Sequence, residues 1–278
     1  MTAIRGVAVA ITGAAGGIGR ALALELAARG ADLALADRDE AGLAAVAAEI
    51  GNRQKVTTHR VDVGEPAEIV HFAETAIAAH PSLGIVINNA GVALLGQFSE
   101  IDQAQMDWLM KINFWGTVHS TRAFLPHLSR RPEAHIVNLS SIFGIIAPPG
   151  QTAYCASKFA VRGFSESLRH ELQTAKSPVR LSVVHPGGVA TNIARNSKSG
   201  SGVTDNTRRA DAIDRFDKVA KTTPQAAALR IIAGIENNEL RILIGSDARF
   251  MDLLQRFRPA SYWAPLARRI EKMAGKGK

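Results

Sequence analysis

TGAAGGIG, residues 12 to 19, follows a short apolar run, VAVAIT from Val7 to Thr12, and opens an Ala/Leu-rich stretch from Ile18 to Arg29. A buried strand, a glycine-rich turn and a helix in that order decide the fold. The glycines let the backbone turn tightly and come close to a pyrophosphate, whose charge then faces the N-terminus of the helix. A lone glycine-rich turn is a weak signal, but here both flanking elements are present. Asp37 ends the next strand pattern, 18 residues after Gly19, where an acid can accept from an adenosine ribose hydroxyl. Together these residues point to dinucleotide binding.

The alternation continues along the chain. Strand patterns are predicted at Asp32 to Asp37, Lys55 to Val61, Leu83 to Ile87, His135 to Leu139, Val179 to Val184 and Arg241 to Ile244. Helical patterns separate them: Asp39 to Ile50, Pro66 to His80, a long region from Asp102 to Leu128, Tyr154 to Thr174, and Pro224 to Asn237. Nearly all-apolar strands alternating with helices imply an α/β fold, a parallel sheet covered on both faces. NSKSGSGVTDNT, Asn196 to Thr207, breaks the rhythm and is predicted to be a mobile loop.

Composition excludes several classes. Of 278 residues, 46% are hydrophobic, which fits a packed chain and not a disordered one. The single cysteine, Cys155, forbids an internal disulfide and a cysteine-rich zinc site. His170-Glu171 begins a zinc motif, but position 174 is Thr, and no metal site is expected. The sequence shows neither a signal-peptide pattern nor an apolar stretch of the roughly 18 residues that a membrane span needs. A cytoplasmic location is the expectation. Net charge is +8, and residues 249 to 278 hold eight basic side chains against two acidic ones, so the basic character belongs mainly to the tail.

YCASK, Tyr154 to Lys158, places a tyrosine and a lysine one helical turn apart on one face. A free phenol titrates near 10 and is a poor base at neutral pH. A neighbouring ammonium favours the phenolate and is expected to lower that value.

The glycine spacing Gly13, Gly17, Gly19 together with Tyr-x-x-x-Lys resembles the short-chain dehydrogenase/reductase family. Asp62-Val63, NNAG at Asn88 to Gly91, Asn113 in KINFWG, Ser141 thirteen residues before Tyr154, and HPGGVAT ending at Thr191 match that family's motifs in order. The resemblance spans about Val7 to Ile244. It implies a Rossmann-type doubly wound sheet of about seven strands and a catalytic set of Asn113, Ser141, Tyr154 and Lys158. Tyr154 would exchange the hydroxyl proton, Ser141 would hold the substrate oxygen, Lys158 would bind the nicotinamide ribose, and Asn113 would hold a relay water. Cofactor contacts are expected from Gly13, Ala15, Gly17, Ile18, Gly19, Asp37, Arg38, Asp62, Val63, Asn89, Ala90, Gly91, Tyr154, Lys158, Pro186, Gly187, Val189 and Thr191, the last on the nicotinamide carboxamide. Each motif alone has a plainer reading; Asn113, for example, could simply bond backbone within its helix.

Asp37 should repel a 2′-phosphate, which favours NAD over NADP, although Arg20 and Arg38 could approach one. Phe143, Ile145, Ile146, Val189, Ile193 and Phe216 are the expected substrate-side residues, which leans toward a lipophilic secondary alcohol or ketone. Several of these could instead be core. The alternative function is a non-catalytic dinucleotide-binding regulatory or scaffold protein.

Residues 1 to 245 read as one catalytic domain, with a mobile substrate loop at about 192 to 222. Residues 246 to 278 read as a basic amphipathic extension that is not a domain of its own. Phe250, Leu253, Leu254 and Phe257 are predicted to form one apolar helical face before Pro259, and Leu266, Ile270 and Met273 another. The extension could pack on its own subunit or a neighbour, or touch a membrane surface. A homodimer or homotetramer is expected by resemblance, and nucleic acid is not an expected partner.

Overall fold

The computed structural model describes residues 2 to 268. Its centre is a seven-stranded parallel sheet. The strands are β1 (Ala8–Thr12), β2 (Asp32–Asp37), β3 (Val56–Arg60), β4 (Leu83–Asn88), β6 (Ala134–Leu139), β7 (Val179–Pro186) and β9 (Arg241–Ile244). The order across the sheet is β3-β2-β1-β4-β6-β7-β9. Two further short strands, β5 (Leu94–Leu95) and β8 (Lys198–Ser199), pair with each other outside it.

Helices α1 (Gly17–Ala28), α2 (Glu40–Ile50) and α8 (Pro224–Glu236) cover one face of the sheet. Their Leu22, Leu26, Leu43, Val46, Ile231 and Ile235 pack with Val9, Ile11 and Leu35 from the sheet. Helices α3 (Pro66–Ala79), α5 (Gly116–Leu128) and α6 (Thr152–Thr174) cover the other, through Ile69, Phe72, Phe124, Leu128 and Leu172. A strand buried on both faces has no polar side to alternate, which is why these strands read as continuous apolar runs.

Local chemistry sets the helix starts. Asp39 caps α2 by accepting from Gly42 N at 3.0 Å, and Thr223 caps α8 by accepting from Ala226 N at 3.1 Å. Pro66 and Pro224 occupy first-turn positions, where their missing N–H costs nothing. The long region from Asp102 is α4 (Gln103–Met110), a π-helical turn at Lys111–Trp115, and α5.

The order of strands turns around between β1 and β4. Chain units after β1 build outward to β3, and those after β4 build the other way. Such a switch point leaves a crevice at the carboxyl ends of the two strands. Parallel register puts Thr12 beside Asn88 and Asn88 beside Asn138, so a polar row crosses three adjacent strands near the crevice floor.

Two expectations are corrected. Asn196 to Thr207 is not a free loop. It contains β8, and its last two residues begin α7 (Asn206–Val219). The apolar face proposed for α9 (Ser246–Phe257) is split. Leu254 packs inward with Ala248 and Met251, while Leu253 and Phe257 point outward at 55% and 79% exposure. The sequence period alone cannot tell two narrow apolar stripes from one wide one. Tyr262, Trp263 and Leu266 pack on Ile142, Ile145 and Ile146 of the same chain; Ile270 and Met273 lie outside the described residues.

Two of the buried imidazoles, His135 and His185, are fully enclosed. Burial pushes His135 and His185 down to about 4 from 6.5. Their folded values lie below the unfolded one, so the unfolded chain holds more protons between about 6.5 and about 4. Stability should therefore fall as pH falls through that window, by about 3 kcal/mol per histidine at most. Urea unfolding across this range should show a falling midpoint at constant slope, with a smaller fall in His135→Asn. A midpoint that does not move would overturn it.

Candidate active site

The crevice is built from chain turns just past the strand ends. After β1, Gly13 adopts φ +69° and lies against the turn that follows β4. An added Cβ at Gly13 would stand 2.8 Å from Ala90 Cα and 2.8 Å from Asn89 Nδ2. At Gly19 it would drive into the Gly13 carbonyl oxygen, so the first turn of α1 can pack on the loop only without a side chain. Thr12 Oγ1 accepts from Asn89 N and Ala90 N, both at 3.1 Å. Asn89 Nδ2 returns two bonds, to Thr12 O at 3.0 Å and Gly13 O at 2.9 Å.

The residues present fit a dinucleotide. No side chain caps α1 and no acid sits in its first turn, so its N-terminal N–H groups are available to an anion. Gly16 borders open space. Asp37 takes Ala15 N on Oδ2 at 3.0 Å and Asp39 N on Oδ1 at 3.1 Å, which fixes its carboxylate at the end of β2. Asp62 Oδ1 accepts from Gly64 N at 2.8 Å, beside buried Val63. Gly17 and Thr191 face each other across the crevice: a Cβ on Gly17 would lie 3.2 Å from Thr191 Cγ2. Of the two arginines that could have met a 2′-phosphate, Arg20 is paired with Glu49, and Arg38 is exposed.

The four candidate catalytic residues come from three elements. Ser141, just past β6, accepts from Phe143 N at 3.1 Å, and its hydroxyl acts on the Tyr154 phenol in favour of the charged form. Tyr154 stands edge-on to Phe143, with ring centroids 6.2 Å apart. Lys158 Nζ lies 5.7 Å from the Tyr154 ring centre and donates to Leu139 O at 3.0 Å. Asn113 is fully buried in the π-helical turn. Its Oδ1 accepts from Val92 N at 2.8 Å, and its Nδ2 donates to Val92 O at 3.0 Å and Ser157 Oγ at 3.1 Å. Gly91 separates the two: its Cβ would be 3.2 Å from Asn113 Oδ1 and 3.4 Å from Lys158 Nζ.

The electrostatics differ from the expectation. Burial pushes the Tyr154 phenol up to about 12, with the Ser141 hydroxyl pulling it back. Burial also pushes Lys158 down to about 8. Desolvation acts against the charged form of each, and Ser141, not the amine, is what draws the phenol back.

A short chain dehydrogenase family profile matches residues 7 to 202. The chain belongs to the short-chain dehydrogenase family. The chain is 40% identical over 275 residues to the Mycobacterium tuberculosis protein named "Putative oxidoreductase SadH", a match covering 98% of both chains. It superposes on a Burkholderia phymatum short chain dehydrogenase/reductase crystallised with NAD, with a TM-score of 0.83 at 29% identity over 92% of this chain and 95% of that one. A Streptomyces avermitilis short-chain dehydrogenase gives 0.77 at 26% identity over 94% and 98%.

Three of the expected substrate-side residues are structural in this family member. Ile145 and Ile146 are 1% exposed and Val189 4%, all held in the core. Phe143, Ile193 and Phe216 are half-buried. Three contacts that border the candidate site escaped the sequence. His185 Nδ1–H donates to the Ser141 carbonyl at 2.9 Å. Asp247 Oδ2 accepts from Gly188 N at 2.7 Å, in the loop before Thr191. Tyr262 OH accepts from Ala147 N at 2.9 Å, in the loop after Ser141. Only His185, within HPGG, stood next to a readable motif.

Two glycines of one loop should respond oppositely. Gly13→Ala meets a left-handed backbone, costing about 1–2 kcal/mol, and a clash with Ala90 besides. Gly16→Ala enters open space at φ −154° and should stay within about 0.5 kcal/mol of wild type. Urea denaturation of both measures the contrast, and equal losses would refute this account of the loop.

Proposed function

We propose that the protein interconverts an alcohol, secondary and lipophilic, and a ketone by hydride exchange with a nicotinamide dinucleotide, with Tyr154 as general acid and base. The observation that carries this is the gathering of Tyr154, the buried Lys158 amine 5.7 Å from its ring centre, and the buried Ser141 at the crevice. A protein that only binds dinucleotide has no use for that grouping, which sets the scaffold alternative aside.

When bound, the dinucleotide supplies the hydride donor or acceptor. The chain supplies the proton and the orientation. Tyr154, neutral in this resting state, is ready to donate to a ketone oxygen as negative charge develops there. Ser141 OH steadies the same oxygen by a hydrogen bond. Lys158 below its pKa of about 8 presents a cation that favours the phenolate left behind. In the reverse direction the phenolate accepts the alcohol proton. The Asn113 amide is already bonded to Val92 and Ser157, and its backbone carbonyl accepts from Thr117 Oγ1 at 3.2 Å, so a relay water held there would share that oxygen with Thr117.

Gly13, Ala15, Gly17, Ile18 and Gly19 would hold the pyrophosphate, Asp37 and Arg38 the adenosine ribose, and Asp62 and Val63 the adenine. Asn89, Ala90, Gly91, Tyr154 and Lys158 would line the nicotinamide ribose, and Pro186, Gly187, Val189 and Thr191 the nicotinamide. The Asp37 carboxylate and the engaged Arg20 favour NAD over NADP. A lipophilic substrate is supported by Phe143 and by the apolar packing of Tyr154 against Leu94 and Leu109. Residues 192 to 222 would serve as a moving cover, tied by the β5–β8 pair and by the pairing of Arg208 with Glu100. Homo-oligomer formation through α5 and α6 is supported by the exposed Trp115 and Phe159 near their starts, at 47% and 39%.

Tyr154→Phe should lower kcat by at least about 100-fold while leaving the NADH dissociation constant within about twofold, by fluorescence titration. Turnover of secondary alcohols or ketones at wild-type rate in this variant would sink the assignment. Separately, kcat/KM measured with both cofactors should favour NAD, and a preference for NADPH would reverse the reading of Asp37.

A further inference from the structure

At the open edge of the sheet, β9 lies between α6 and α9, and a groove of about 390 Å³ opens there. Four arginines line it: Arg162 and Arg169 from α6, Arg241 at the start of β9, and Arg256 on α9. Two carboxylates serve three of them. Arg162 Nε donates to Glu166 at 3.1 Å. Asp252 is shared, taking Arg241 Nη1 at 2.8 Å and Arg256 Nε at 2.9 Å. Arg169 has no acidic partner among the described residues and donates to Leu240 O at 3.3 Å.

The cluster is short of acceptors. The Nε groups of Arg169 and Arg241 are buried with no hydrogen-bond partner. Elsewhere among the described residues such orphaned guanidinium nitrogens occur singly, at Arg29 and Arg131. Burial, then the charge of Arg162, hold the Arg241 guanidinium below its ordinary range, against the pull of Asp252 and Glu166. Like charges are therefore gathered at one place with two positive charges in excess. Planar guanidinium forks match tetrahedral oxyanions in geometry as well as charge. One border is apolar: α9 turns Leu253 and Phe257 outward beside Arg256.

We propose that this groove is a second ligand site, which takes a phosphate-type oxyanion presented either as an acidic phospholipid headgroup or as a soluble phosphate. It does not depend on the proposed reaction. Arg162 also donates to Gly144 O near Ser141, at 3.3 Å, so it is left out of the test.

Full-length protein is saturated with NAD to fill the dinucleotide cleft. Its Tm is then measured in inorganic phosphate and in chloride of equal ionic strength. Phosphate should raise Tm by about 2–4 °C over chloride, and Arg169→Gln and Arg256→Gln should lose that rise while keeping turnover. In parallel, wild type and variants are sedimented with phosphatidylglycerol or phosphatidylcholine vesicles. Co-sedimentation with phosphatidylglycerol alone, lost in the variants, assigns the headgroup as source. A phosphate-specific rise with protein left in the supernatant assigns a soluble phosphate. Equal Tm in the two salts with no sedimentation, or variants that behave as wild type in both assays, overturns the proposal.

Discussion

One hydroxyl closes the floor of the crevice. Thr12 Oγ1 accepts two backbone N–H groups from the turn after β4, and Asn89 answers with two bonds to the turn after β1. These four bonds join the strand ends on either side of the switch point. The loop that would face a pyrophosphate and the loop beside Lys158 therefore move as one body. Below them Asn88 donates to Asn138 Oδ1 at 2.8 Å, and Asn138 donates to Ser165 Oγ at 2.8 Å on α6. Burying amides is costly unless they are bonded. Here the cost secures a fixed distance between the sheet and the helix that carries Tyr154 and Lys158.

That helix places two titratable groups where water is scarce. Desolvation pushes phenol and amine toward their neutral forms, which leaves a proton on Tyr154 and makes the charge on Lys158 pH-dependent near 8. Ser141 sits between this pair and the sheet, and its position depends on His185. The imidazole donates to the Ser141 carbonyl, and its other nitrogen has no partner. A neutral imidazole is the form the buried site favours, so the Ser141 backbone is held by a group that does not change charge near 8, where the Lys158 amine titrates.

Much of this was legible because it is local. Strand, glycine turn and helix follow one another within thirty residues, and Tyr154 and Lys158 are neighbours on one helical turn. Burial on both faces wrote the strands as apolar runs. What stayed hidden depends on distance in the chain. Nothing near Asp247 reveals that it reaches Gly188, and nothing near Tyr262 reveals Ala147. Ile145, Ile146 and Val189 looked like substrate wall because apolar residues near a catalytic serine read the same whether they face a ligand or the core. The helix at Asn206–Val219 was missed because its start is masked by a Gly/Ser-rich run and its exposed surface leaves little apolar periodicity.

The C-terminal extension gains its meaning from these distant contacts. Asp247 at its start holds the loop before Thr191, and Tyr262 further along holds the loop after Ser141. Between them Ala248, Met251 and Leu254 fill the space behind Ile142 and Ile145. Two loops that border the site are thus fixed by one segment outside the family profile match, and the groove at β9 borrows Arg256 from the same helix. One helix thus packs Ala248, Met251 and Leu254 behind the loops and leaves Arg256, Leu253 and Phe257 on its outer side.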